Sequence, residues 1–145
     1  MFKNDYLLRM IEEFGAMLRK ALALEEDGEY EKAHGQIDAA MKRLGVSRLL
    51  TRSMPATELL RMVRMGGTSD ERCFMLSHLI GADAHIYRSK GLHDVAHNLY
   101  ATELSVLTTI KGSTEDEKSE MIEKEIEAVR LLITENARDD ANLSN

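Results

Sequence analysis

Tryptophan is missing from this chain, and proline and cysteine occur once each. Aromatic residues make up only 5%. Strand-forming β-branched and aromatic residues are thus outweighed by Leu, Met, Ala, Glu, Lys and Arg, which excludes a β-rich fold. A single thiol, Cys73, excludes an internal disulfide and a multi-cysteine zinc site, and it suits a reducing compartment. No apolar run approaches the ~20 residues of a membrane span. The opening Met1-Phe2-Lys3-Asn4-Asp5-Tyr6 leads into no uninterrupted apolar stretch, so no signal peptide is read there. The expected location is cytoplasmic.

What is present is an ordinary globular mixture, 43% hydrophobic and 30% charged over 145 residues, enough for one domain with a sizeable core. The net charge of −6 is uneven. Residues 114–145 hold 10 acidic and 4 basic side chains, whereas residues 1–113 hold 15 of each. Within the neutral part, residues 42–64 carry Lys42, Arg43, Arg48, Arg52, Arg61 and Arg64 against Glu58 alone. A basic middle and an acidic end read most simply as two solvated faces. The sharper alternative lays the acidic terminal helix near the basic segment, in the same chain or a second copy.

Apolar residues at three- and four-residue steps predict a helix over 4–27, with Met10, Ile11, Phe14, Leu18, Ala21 and Leu24 on one broad face and Asn4 or Asp5 as its cap. Gly28 closes it, since glycine takes a left-handed conformation without a Cβ clash. A second helix runs from Glu29 to Leu44 and stops at Gly45. Residues 46–67 are less regular, with a short turn after Ser47 and a short helix near Pro55 that ends at Gly66-Gly67. Thr68 and Glu71 are spaced as a capping box for a helix to about Lys90. Gly91 then separates it from a helix over Leu92–Lys111. The last helix starts at Ser113 or Thr114, the latter boxed with Glu117. It carries Ile122, Ile126, Val129 and Ile133 as a narrow seam, suited to capping the preceding pair or to pairing with a second subunit. The domain is drawn as 1–137, with a frayed polar tail over 138–145.

Two turns repeat. Placing Gly28 over Gly91 sets Ala21 over Ala84, Leu24 over Tyr87, Ala33 over Ala96, Ile37 over Tyr100 and Met41 over Leu104. Small residues fall where two helices touch, and large ones where the pair meets its neighbour. This pattern resembles the tetratricopeptide repeat, in which a Gly-x-Tyr turn is followed by an alanine and an aromatic residue. Gly28, Tyr30, Ala33 and Ala40 match closely; Gly91, Tyr87, Ala96 and Tyr100 match loosely. The family's early Trp is Met17 in one unit and Ile80 in the other. Its Leu before the small residue is Lys20 and Asp83, and its closing Pro is Gly45 and Thr108. The units stand 63 residues apart (91 minus 28), not the ~34 of a contiguous array. The opening Phe2–Leu7 together with the Gly28 hairpin also resembles a family of small proteins of Gram-positive bacteria, which implies the repeat-like fold and no activity. The resemblance implies an all-α fold of antiparallel helical hairpins, of α-α superhelix type, with a C-terminal capping helix. It also implies an interaction or scaffold role. The peptide clamp of that family is not carried over, because Lys20, Arg88 and Lys90 come without an asparagine inside either helix.

Candidate chemistry is sparse. His93 and His97 stand four apart, with His85 and Asp83 just before the Gly91 turn. That is half of a metal site, which needs another ligand and groups that orient the rings. The preferred reading makes His93 a packing residue and His97 a surface one, and it gives Asp83 a hydrogen-bonded or charged partner. Cys73 and His78, five apart, lie on different sides of a helix. Gly66-Gly67-Thr68-Ser69 is followed by Asp70 and Glu71, which repel an anion. No enzyme activity, metal or cofactor is expected. The expected function is a protein-protein interaction module that is also a homodimer, with no nucleic acid and no membrane span. Partner contacts are assigned to Arg48, Arg52, Arg61, Arg64, Ile122, Ile126, Val129 and Ile133. The alternative is a small-molecule or metal-responsive sensor around Asp83, His85, His93 and His97.

Overall fold

Left-handed glycines set the chain reversals. In the computed structural model Gly28 has φ +78° and Gly91 φ +82°. The same hydrogen bonds surround both. Glu29 N–H donates to Leu24 O at 2.8 Å, and Leu92 N–H to Tyr87 O at 2.9 Å. Ala33 N–H then donates to Glu29 O, and Ala96 N–H to Leu92 O, opening the second helix of each pair. These closures satisfy carbonyls and N–H groups that helix ends leave orphaned. Gly45, φ +87°, repeats the device at the next helix end.

The structure describes residues 2–65, 70–112 and 116–144, with the side chains of all of these but 2–8, 116, 117 and 144. Six α-helices and one 3₁₀ turn are found among them, and no strand. They are α1 (Phe2–Glu26), α2 (Tyr30–Arg43), the 3₁₀ turn Arg48–Arg52, α3 (Ala56–Met65), α4 (Asp70–Ser89), α5 (His93–Lys111) and α6 (Asp116–Ser144). The all-α class and the order of helices follow the sequence reading. Two boundaries differ. The backbone is already helical at Phe2, so Asn4 and Asp5 lie inside α1 and do not precede it. α6 continues through 138–144, and Arg88 of α4 donates to Asp139 there at 2.7 Å. The Gly66-Gly67 stop and the capping residues Thr68 and Thr114 lie outside the described residues.

Long-range pairs orient the helices. Glu13 pairs with Arg43, each fifteen residues from Gly28, so α1 and α2 are antiparallel. His34 meets Asp83 and Glu31 meets Lys90, which makes α2 and α4 antiparallel. Met10 meets Arg72, and Glu25 meets His85 and Ser89, so α1 and α4 run parallel. Their offset in sequence is 60–64 residues, close to the 63 of the repeat. Glu71 pairs with Lys118 and Arg88 with Glu135, so α4 and α6 are also parallel. His93 meets Asn136 and Lys111 meets Glu123, so α5 and α6 are antiparallel. Thus α1, α4 and α6 point one way, and α2 and α5 the other.

α4 is the central element, packed by α1, α2, α3 and α5. Its apolar residues go most of the way round it, as a buried helix requires. Leu76, Leu79, Ile80 and Ala84 are fully buried. Ala21, Ala33, Ala84 and Ala96 are buried where the paired helices touch. The inserted segment 46–65 fits between the hairpins. Its 3₁₀ turn touches α2 and α5, while α3 lays Leu59, Leu60 and Val63 against α4 and α5.

Candidate functional site

Three parallel helices leave a furrow wherever their facing side chains are too short or too few to close it. On α4 the half-buried residues Phe74, His78, Ala82 and His85 recur at steps of four, four and three. They therefore share one face, which forms the floor. α1 supplies Ile11, Phe14, Gly15 and Leu18 as one wall, and α6 supplies Lys118, Met121 and Ile122 as the other. Between them lies a cleft of about 440 Å³, closed below by Met75, Leu79 and Ile110. Gly15 widens it, because the wall lacks a side chain there. Ile11 is 41% exposed and Met121 51%, so large apolar surface remains open on both walls. Phe74 holds His78 edge-on, with ring centres 4.6 Å apart.

Polar side chains of the same three helices flank the cleft. Asp70, Glu71 and Lys118 stand at the apolar end. Beyond the apolar part His85 Nε2 lies 3.1 Å from Glu25 Oε1, and Arg88 pairs with Glu135 and Asp139. Five carboxylates (Glu25, Asp70, Glu71, Glu135, Asp139) thus share this face with three permanent cations, Arg88, Lys118 and Arg19, the last lying over Gly15. The Arg88 guanidinium lowers the Asp139 pKa against a small opposing effect of burial.

A second polar group lies on the other side of α4, inside the protein. Asp83 is fully buried and His34 is 2% exposed, with Nδ1 2.6 Å from Asp83 Oδ1. A carboxylate only accepts, so Nδ1–H donates, and Lys90 then donates to Nε2 at 3.3 Å. Arg48 Nη1 donates to Asp83 Oδ2 at 3.2 Å and to the Tyr87 hydroxyl at 2.9 Å. Burial opposes the Arg48 charge, but Asp83 and Tyr87 outweigh it and raise its pKa. Asp38 accepts from the Arg48 backbone N–H at 3.1 Å. This bracket ties the inserted segment to both hairpins. Every polar group named in it has a partner, which marks it as a structural joint.

The residues singled out in the sequence fall in several places. Asp83 has its expected partners, though His34 was not named among them. His85 turns to α1. His93 is buried, with Nδ1–H donating to Asn136 Oδ1 at 2.8 Å while Asn136 Nδ2 donates to His93 O at 3.0 Å. His97 is exposed. The four do not converge, and among the described residues no three His, Cys, Asp or Glu side chains are grouped to hold a metal. Arg48 turns inward, Arg52 lies over the Tyr87 ring at 5.7 Å, and Arg61 pairs with Glu58. Arg64 sits beside Cys73, whose thiol pKa burial pushes up while Arg64 opposes the shift. These arginines do not form one patch. The seam Ile122, Ile126 and Val129 is buried in the chain's own core, with Ile133 packed against it. This corrects the assignment of the seam to an outside partner, because α5 already covers it. Within the chain, the pairs named for the acidic last helix go to α4 and α5 and not to the basic middle.

Two features escaped the sequence reading. The α1 side of the cleft reads as a core-facing stripe, and nothing local distinguishes a covered Ile11 from an open one. Glu103 carried a signal: it is the only Asp, Glu, Lys or Arg between Asp94 and Lys111. In comparisons with known proteins, no family model, no curated protein and no solved structure matches the chain.

Proposed function

We propose that the protein is an interaction module whose α1–α4–α6 cleft receives an amphipathic, basic helix of a protein partner. One observation carries this reading, an open apolar cleft flanked by side chains among which carboxylates outnumber cations. Apolar side chains of such a helix fill the cleft, and its Lys or Arg residues meet Glu25, Glu135 and Asp139. The helix directions add support for a repeat-like scaffold of tetratricopeptide type. Hairpins stacked with first helices parallel, closed by one further helix, present a concave face of this kind. Among the described residues no helix is long and apolar enough to cross a membrane.

The test is a titration with a short fluorescent Leu/Lys amphipathic peptide, beside its scrambled and Leu/Glu counterparts. The Leu/Lys peptide binds. Met121→Glu, at a half-exposed wall position, weakens it by about tenfold, equivalent to about 1.4 kcal/mol. Equal binding of all three peptides, or an unaffected variant, overturns the reading. Sedimentation at rising concentration reports whether a second copy is the occupant instead.

A further inference from the structure

We infer that Glu103 is a proton-operated latch for α6: protonated it lets the helix lie down on α5, and ionised it loosens that contact. The carboxyl stands on α5, where α4 and α6 both approach it. It is 6% exposed, and its Oε1 has no hydrogen-bond partner. On the α4 side it lies against Gly81, where an added Cβ would stand 2.5 Å from Oε2. Glycine therefore makes room for the carboxyl. On the α6 side the charged group acting on it is Glu125, of like sign. Its neighbour on α5 is Tyr100, whose buried hydroxyl lies near Arg88 of α4 and feels Glu25 of α1. α3 meets α5 with the apolar Leu59, Leu60 and Val63. Glu103 thus has no cation to neutralise it among the described residues, and one carboxylate that repels it.

Burial first, then Glu125, pushes its pKa up to about 8. A proton is therefore the counter-charge this site uses near neutrality. When it leaves, a bare carboxylate remains under apolar surface. α6 is the element free to respond. It packs chiefly on α5, so it lifts without dismantling either hairpin. α6 is also one wall of the cleft; that consequence rests on the function proposed above, while the latch itself does not.

Amide hydrogen exchange of the full chain between pH 6 and pH 9 tests it, with α2 amides as the internal reference for intrinsic base catalysis. In the natural chain, protection of α6 relative to α2 falls by about tenfold from pH 7 to pH 9, as expected for local opening driven by a single ionisation. In Glu103→Gln the ratio stays flat. A flat ratio in the natural chain overturns the proposal, as does an equal fall in the variant. Glu125→Gln, at a half-buried position, supplies a second reading. Without the repelling carboxylate the closed-state pKa drops and the fall levels off at lower pH, and an unmoved transition overturns the assignment to Glu103. Peptide titration at fixed pH is independent of these outcomes, so failure of the latch and failure of the cleft are told apart.

Discussion

Replacing Arg48 by Met removes a charge and keeps most of the side chain's apolar stem. It strands Asp83, which is fully buried and holds two partners, the His34 ring and the Arg48 guanidinium. Removing one partner from a wholly buried pair costs about 3–5 kcal/mol, because the remaining charge is left uncompensated. The Arg48 side chain is 16% exposed, so water reaches part of the vacated space, and His34 still donates. We therefore expect about 2 kcal/mol, the lower range for an unsatisfied buried charge. The same change frees the Tyr87 hydroxyl and the hold on the 3₁₀ turn. Urea unfolding followed by far-ultraviolet circular dichroism measures the loss, with unchanged slope as the check that the transition stays two-state. Asp83→Asn and the double variant complete a cycle. The coupling is at least about 1 kcal/mol if the pair acts as one unit. A loss below about 0.5 kcal/mol for Arg48→Met, or strict additivity, refutes the bracket as a joint.

Glu103→Gln raises stability at pH 7. The native pKa of about 8 exceeds the ordinary 4.5, so the natural chain loses stability as pH climbs between those values. At pH 7 the loss is about 1.36 × 2.5, or roughly 3 kcal/mol, and it vanishes below pH 4.5. Unfolding midpoints of the two chains that stay parallel from pH 4.5 to pH 8 contradict this. Gly81→Ala presses a methyl into the Glu103 carboxyl and costs about 1–3 kcal/mol, most of it recovered by adding Glu103→Ala; thermal melts of the single and double variants check it. Gly28→Ala and Gly91→Ala force left-handed alanines into open space, so each costs about 1–2 kcal/mol with no change of fold. A loss at one turn alone would show that the two hairpins are not energetically alike.

The turns and the paired alanines were legible because they are local. A glycine at a helix end and a small residue every few positions declare a hairpin within thirty residues. The need of Asp83 for a partner was legible as well, since a carboxylate on an apolar stripe cannot stand alone. Which groups answer that need was not legible. His34 is 49 residues away and Arg48 35, and nothing in either neighbourhood names Asp83. The seam of α6 shows the same limit. A stripe such as Ile122-Ile126-Val129 demands burial, but sequence alone leaves open whether its cover is α5 or a second chain.

By itself, then, the sequence determined an all-α chain, its helix order, and the two hairpins that reverse at Gly28 and Gly91, because backbone conformation and helical periodicity act over a few residues. Tertiary structure decided which faces of those helices are closed. It put α1, α4 and α6 in parallel, left Ile11 and Met121 uncovered between them, and set Glu103 against Gly81 beneath α6. Each of these depends on what a distant helix places opposite, and exposure belongs to the pair of surfaces that meet.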